Sequence, residues 1–202
     1  PADTVGNVLR IFNDDPAWSS RLTFDAFALE VCLDGGAVPE GRATDLTAEM
    51  GYRYTLDTTS ARVKECMYAS ARQREFHPIR QYLDALEWDG TSRLDTMLFE
   101  GFGVEEGGEF DDVIRLISRR FVLGLVARAY KPGCQADDIL VLQGAQGDGK
   151  SRCLEALVGS QWFARSELDK GKDSYLQIRG TWLYELAELP SSRRDTEAMK
   201  AF

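Results

Sequence analysis

The chain is poor in the residues that build most metal and nucleophile sites. It has one histidine, His77, and four cysteines, Cys32, Cys66, Cys134 and Cys153, none of them in a Cys-x-x-Cys pair. That argues against a zinc site and leaves reduced, partly buried thiols, as in a cytoplasmic protein. No apolar run approaches the ~20 residues a membrane span needs. The start, Pro1-Ala2-Asp3, lacks the basic-then-apolar pattern of a signal peptide. It also lacks Met, so the chain reads as a piece of a longer one. No internal repeat or low-complexity segment is present. Positive charge is in deficit too: 24 basic against 33 acidic residues, a formal charge of −9. Such a surface repels phosphate backbones at long range, so any nucleic-acid contact needs a local basic patch or a segment outside this chain.

What is present is enough apolar material, 44% of 202 residues, for one medium domain or two small ones. Asp3 or Thr4 can cap a helix whose apolar stripe is Val5, Val8, Leu9 and Phe12, ended by Asn13–Pro16. Alternation in Arg21–Leu33 predicts a strand pair turning near Asp25-Ala26. Residues 34–41 read as a loop. Leu46–Tyr54 and Ala61–Arg74 read as helices. His77-Pro78 marks a boundary and starts the helix Ile79–Leu86. Trp88-Asp89-Gly90 reads as a turn with Trp88 as a packing anchor, and Gly101–Gly108 as a flexible acidic loop. Asp111–Tyr130 gives the clearest helix, with Val113, Ile117, Phe121, Leu125 and Ala129 as its apolar face, widened by Leu116 and Val122. Pro132-Gly133 ends it. This organisation suggests a mostly helical α+β module over 1–75, a connecting segment over 76–110, and the first part of an α/β domain over 111–202.

The chemistry concentrates after residue 138. Ile139–Leu142 is a short apolar run of the kind found in buried parallel strands. It leads into Gln143-Gly144-Ala145-Gln146-Gly147-Asp148-Gly149-Lys150-Ser151, and then into a helix with Cys153, Leu154, Ala156, Leu157 and Val158 on its apolar side. Strand, Gly-x-x-x-x-Gly-Lys-Ser, helix is the context of a Walker A phosphate loop. Gly144, Gly147 and Gly149 let the backbone take positive φ and approach phosphates without a Cβ. Residues 144–152, Arg152 included, are the expected nucleotide-binding stretch. Lys150 is expected on the β- and γ-oxygens of ATP and Ser151 on Mg²⁺. Thr181–Pro190 contains an apolar run, Trp182–Tyr184, that ends on Glu185, the form of a Walker B strand lying next to the loop's own strand. Glu185 is then the second metal ligand, and Glu188 the group that polarises attacking water. The plainer alternative puts Glu185 and Glu188 on one solvated helix face.

Other residues have bland readings. Arg115, Arg119, Arg120, Arg128 and Lys131 read as a solvated helix face, with a neighbouring subunit or DNA as the alternative. Arg193 or Arg194 is an arginine-finger candidate. His77 reads as a cap or surface residue, and Cys153 as a buried small side chain, with a thiolate favoured by the helix dipole as the alternative.

Several stretches together resemble the virulence-associated E (VirE-like) family, found in primase–helicase proteins of phages and plasmids. They are His77–Leu83, Leu86–Gly90 with Arg93-Leu94, Val126–Gly133, Leu142–Ser151 and Gly180–Leu189. The resemblance covers 75–202 well and 1–75 loosely. It implies an α/β P-loop NTPase, AAA+-like and related to superfamily 3 and D5-type helicases, that couples ATP hydrolysis to movement on DNA. It also implies a homo-oligomeric ring and a primase domain as possible neighbours in the intact protein, and it supports Glu185 and Glu188 as the acidic pair. Only 51 residues follow Ser151, whereas a P-loop sheet usually has about five strands. The core is therefore expected to be incomplete, and this piece alone is expected not to hydrolyse ATP efficiently. A nucleotide-gated assembly module and a small-molecule kinase are the competing readings. About 140 residues precede the loop, which disfavours the kinase.

Overall fold

The computed structural model describes residues 4–166 and 178–186. The chain divides into two compact units, Pro1–Ala85 and Leu86–Phe202. The division falls inside the expected connecting segment.

In the first unit, helix α1 (Val5–Asp14) starts where the Thr4 hydroxyl accepts from the Asn7 N–H and offsets one of the unpaired donors of a helix start. Its stripe buries Val8 and Phe12. Pro16 does more than end α1. It opens a single-turn helix, α2 (Pro16–Ser19), capped by the Asp15 carboxylate, which the sequence reading did not anticipate. Strands β1 (Leu22–Asp25) and β2 (Glu30–Leu33) pair antiparallel, as the alternation predicts. The supposed loop after them contributes a two-residue strand, β3 (Gly36–Ala37), to the edge of β2. Helices α3 (Arg42–Tyr54) and α4 (Ser60–Ala71) follow, the second continued by a 3₁₀ turn over Arg72–Arg74. Strand β4 (Glu75–Phe76) then returns parallel to β1, giving the order β3-β2-β1-β4. His77 caps helix α5 (Pro78–Asp84), its Nδ1 accepting from the Arg80 N–H, with Pro78 in the first turn. Burial and neighbouring Arg80 push the His77 pKa down, as suits a neutral capping ring. One core cluster unites α1, the sheet, α3 and α4 around Phe12, Trp18, Phe24, Met50 and Val63.

The second unit begins with the Trp88–Gly90 turn, in which Asp89 accepts from the Thr91 N–H and from Arg93. Trp88 is 80% exposed and its indole N–H reaches the Thr91 carbonyl, so it is not a packing anchor. Helix α6 (Met97–Phe102) occupies the start of the stretch read as a flexible loop. The Asp111 carboxylate accepts from the Gly107 and Gly108 N–H groups and fixes the rest of it onto the start of helix α7 (Asp111–Tyr130). Helix α7 has the bounds its periodicity predicts, and Phe121, Leu125 and Ala129 of the expected face are at least partly buried, but its first half departs from that face. Val113, Leu116 and Ile117 are exposed, while Ser118 and Ala129 are buried. The least exposed line is therefore Ile114, Ser118, Phe121, Leu125 and Ala129, of which Ser118 and Ala129 are buried and the others partly so, at which spacing a helix returns to one face. The phosphate-loop motif follows, then helix α8 (Lys150–Val158), which buries Leu154 and Val158. Ala156, expected on the same apolar side, is exposed instead. Strand β5 (Phe163–Ser166) pairs parallel with β6 (Leu183–Leu186). No helix among the described residues is long and apolar enough to cross a membrane.

Candidate functional site

The loop between the 139–142 run and α8 supplies the backbone of the site. Gly147 and Gly149 adopt φ of 95° and 79°, the left-handed region that side-chain-bearing residues resist. Gly144 serves differently from expectation. Its φ is not positive, but a Cβ there would lie 2.9 Å from Asp148 Oδ2 and 3.4 Å from Lys150 Nζ. Glycine at 144 thus makes room for two side chains of the same loop. Gly149 is the N-cap of α8 and offers no side chain. The first N–H groups of that helix, at Lys150, Ser151 and Arg152, therefore have no acceptor within it, and the positive end of its dipole faces the loop. The Lys150 ammonium folds back and donates to the carbonyls of Gly144 (2.9 Å) and Ala145 (2.7 Å). Gln146, Gly147, Asp148 and Arg152, with Lys150 and Ser151, line a cleft of about 1040 Å³ within this unit.

Strand β6 brings the acidic side. The Ser151 hydroxyl donates to Glu185 Oε1 at 2.7 Å, joining residues 34 apart in sequence. Glu185 therefore stands on a strand beside the loop and not on a solvated helix face. The carboxylate is largely buried, with 16% of the side chain exposed. Its second oxygen, Oε2, is buried with no hydrogen-bond partner among the described residues. A buried carboxylate oxygen without a donor is costly, and a cation would satisfy it. A hydroxyl and a carboxylate are the hard oxygen donors that Mg²⁺ prefers, with bound phosphates and water completing its shell. No group of three or more His, Cys, Asp or Glu side chains that could hold a metal occurs among the described residues.

Two expectations about the frame need correction. Residues 139–142 form no paired strand among the described residues, and Ile139 and Val141 are 59% and 56% exposed. The described neighbour of β6 is β5, not the 139–142 run. An apolar run shows that a segment wants burial; it does not say which strand lies beside it. Glu188, Arg193 and Arg194 lie outside the described residues.

Sequence reasoning missed Arg165 and the aromatic brace behind the site. Arg165 stands directly across from Glu185 in the parallel pair, its Nε 3.5 Å from Oε1. The Trp182 indole N–H donates to the Leu125 carbonyl of α7 (3.0 Å), and its ring meets Trp162 edge-on at 6.0 Å. Strand β6 is thereby tied to the long helix. The only sequence signal for Arg165 was a cation within a short apolar stretch, and its register became visible only with the strand pairing.

The helix arginines resolve as intrachain pairs. Arg115 pairs with Glu106, Arg119 with Asp95 and Arg120 with Asp138, and Arg128 donates to the Ala136 carbonyl. These contacts agree with the solvated-face reading.

Residues 83–202 match the virulence-associated protein E-like domain, more than half of the chain. The chain belongs to that family. No curated protein matches it. The match takes in the phosphate-loop motif, β5 and β6, so every contact of the site described above lies within the virulence-associated protein E-like domain.

Proposed function

We propose that residues 144–151 cradle the phosphates of ATP and that this domain is the nucleotide-hydrolysing part of a motor acting on DNA. The family's association with phage and plasmid primase–helicase proteins supports the setting. The observation that carries the nucleotide reading is the Ser151–Glu185 hydrogen bond. It joins the head of a Gly-rich loop and helix to a carboxylate on a separate strand, the arrangement phosphoryl transfer requires. In this reading the N–H groups around Gly147–Ser151 receive the β-phosphate. Lys150 leaves the Gly144 and Ala145 carbonyls for the β- and γ-oxygens, where its charge offsets what develops in the transition state. Ser151 and Glu185 hold Mg²⁺, which supplies further neutralisation of the phosphates when bound. Glu188 is assigned to orienting the attacking water. Ring assembly, a linked primase domain and translocation along DNA belong to the intact parent protein in this proposal.

Lys150→Ala tests it. Binding of a fluorescent ATP analogue should fall at least tenfold, about 1.4 kcal/mol or more, as expected on losing a charged hydrogen-bond donor. The circular dichroism spectrum should not change. Wild-type affinity in that variant refutes the assignment. In the parent protein, ATP turnover that rises with single-stranded DNA supports the motor. Binding without turnover would instead favour a nucleotide-gated assembly module.

A further inference from the structure

The carboxylate proposed to meet Mg²⁺ already has a cation beside it. Arg165 and Glu185 are register partners on adjacent parallel strands, so their side chains rise from the same face of the pair. The guanidinium Nε lies 3.5 Å from Glu185 Oε1, the oxygen that also accepts the Ser151 hydroxyl at 2.7 Å. Glu185 is mostly buried, whereas the Arg165 side chain is 53% exposed and lines the same cleft as Lys150 and Ser151. One partner is thus fixed and the other is free to swing. Lys150 is likewise held by groups of the loop itself, the carbonyls of Gly144 and Ala145. Lys150 and Glu185 therefore each have an internal partner that a ligand must replace.

We infer that Arg165 is a positioning residue that holds Glu185 in the nucleotide-free site and competes with the divalent cation for it. The inference rests on the phosphate-loop reading above and deepens it. Arg165 screens the buried carboxylate while the loop is empty. When a nucleotide and its divalent ion arrive, the guanidinium withdraws toward the open side of the cleft, and Glu185 keeps its bond to Ser151. An ion pair 3.5 Å apart with one partner half-exposed is weak, so the competition is a modest bias and not a block. It raises the divalent-ion concentration needed to complete the site without altering how the loop holds phosphate.

The test titrates MgCl₂ into the full chain with a fluorescent ATP analogue, following the cation-dependent part of the signal. Arg165→Ala should lower the half-saturating Mg²⁺ concentration roughly two- to fivefold, with unchanged analogue affinity in EDTA. Arg165→Lys keeps the charge and should stay near the wild-type midpoint. Ser151→Ala removes a proposed ligand and should move the midpoint upward. An Arg165→Ala midpoint that stays put or rises, with analogue binding intact, overturns the role of Arg165 and leaves the phosphate loop standing. Weakened analogue binding by Arg165→Ala in EDTA would also overturn it, because Arg165 would then be a phosphate ligand. No analogue binding by the wild-type chain, with or without Mg²⁺, overturns both readings together. Should Arg165→Ala fail to fold, Arg165→Gln keeps a polar, hydrogen-bonding side chain while removing the charge, and the same midpoint decides.

Discussion

The two units hold themselves together in different ways. In Pro1–Ala85, large side chains such as Phe12, Phe24, Leu46, Met50 and Val63 are fully buried in one cluster. In the unit from Leu86 onward, the fully buried residues among those described are fewer and smaller, and several long apolar side chains of α7 and the 139–142 run face outward. Burial of apolar area scales with stability, so the first unit is where the fold is secured. The second unit relies more on specific polar contacts: Trp182 to Leu125, Ser151 to Glu185, Lys150 to the loop carbonyls. A dense core resists change. A surface joined by individual hydrogen bonds can exchange them, which is what a ligand site needs.

The contrast can be broken at four points. The largest effect is expected for Phe12→Ala, which empties the centre of the first core beside Trp18. It should cost about 3–5 kcal/mol in denaturant unfolding and leave ATP-analogue binding at the second unit unchanged in the folded protein. Coupled loss of both would show that the units are not independent. Trp182→Phe removes the donor to the Leu125 carbonyl and should cost about 1–3 kcal/mol. Its signature is weaker analogue binding together with lower stability, as Glu185 rides on the same strand; unchanged binding would dismiss the brace. Thr4→Ala deletes the cap of α1 and should cost about 1 kcal/mol in the same unfolding assay. The smallest effect concerns acid. Asp15 accepts from the Ala17 N–H and the Tyr54 hydroxyl, and both hold its carboxyl below its ordinary pKa of 3.8. A group depressed in the folded state contributes stability above its unfolded pKa and loses it as pH falls through the folded one. Asp15→Asn should therefore flatten the decline in melting temperature below about pH 4. An equal acid decline in wild type and variant would remove Asp15 from the account.

Most helices could be located from sequence because their signals are local. Thr4 and His77-Pro78 are caps that act within a few residues. The hairpin was legible for the same reason. What escaped was long-range or very short. Strands β3 and β4 span two residues each and exist only through pairing, β4 with a partner some fifty positions upstream. The first half of the α7 face was misjudged because Val113 and Ile117 are as apolar as Ile114, and Ser118 is polar, so composition does not choose the inward stripe there. In the candidate site, the glycines, Lys150, Ser151 and Glu185 could be read from spacing. Arg165 could not, since its significance lies in strand register. Gly144 was found for an incomplete reason: space, not torsion, demands it.

The position of β4 also bears on how the protein emerges during synthesis. Its Phe76 carbonyl accepts from the Ala26 N–H and closes the sheet beside β1, while the chain between them builds β2, β3 and helices α3 and α4. The sheet edge therefore stays open until residue 76 has cleared the ribosome, immediately before the boundary at Ala85. Translation delivers the closing strand of the first unit ahead of the second, so the denser body can be complete before its neighbour has emerged.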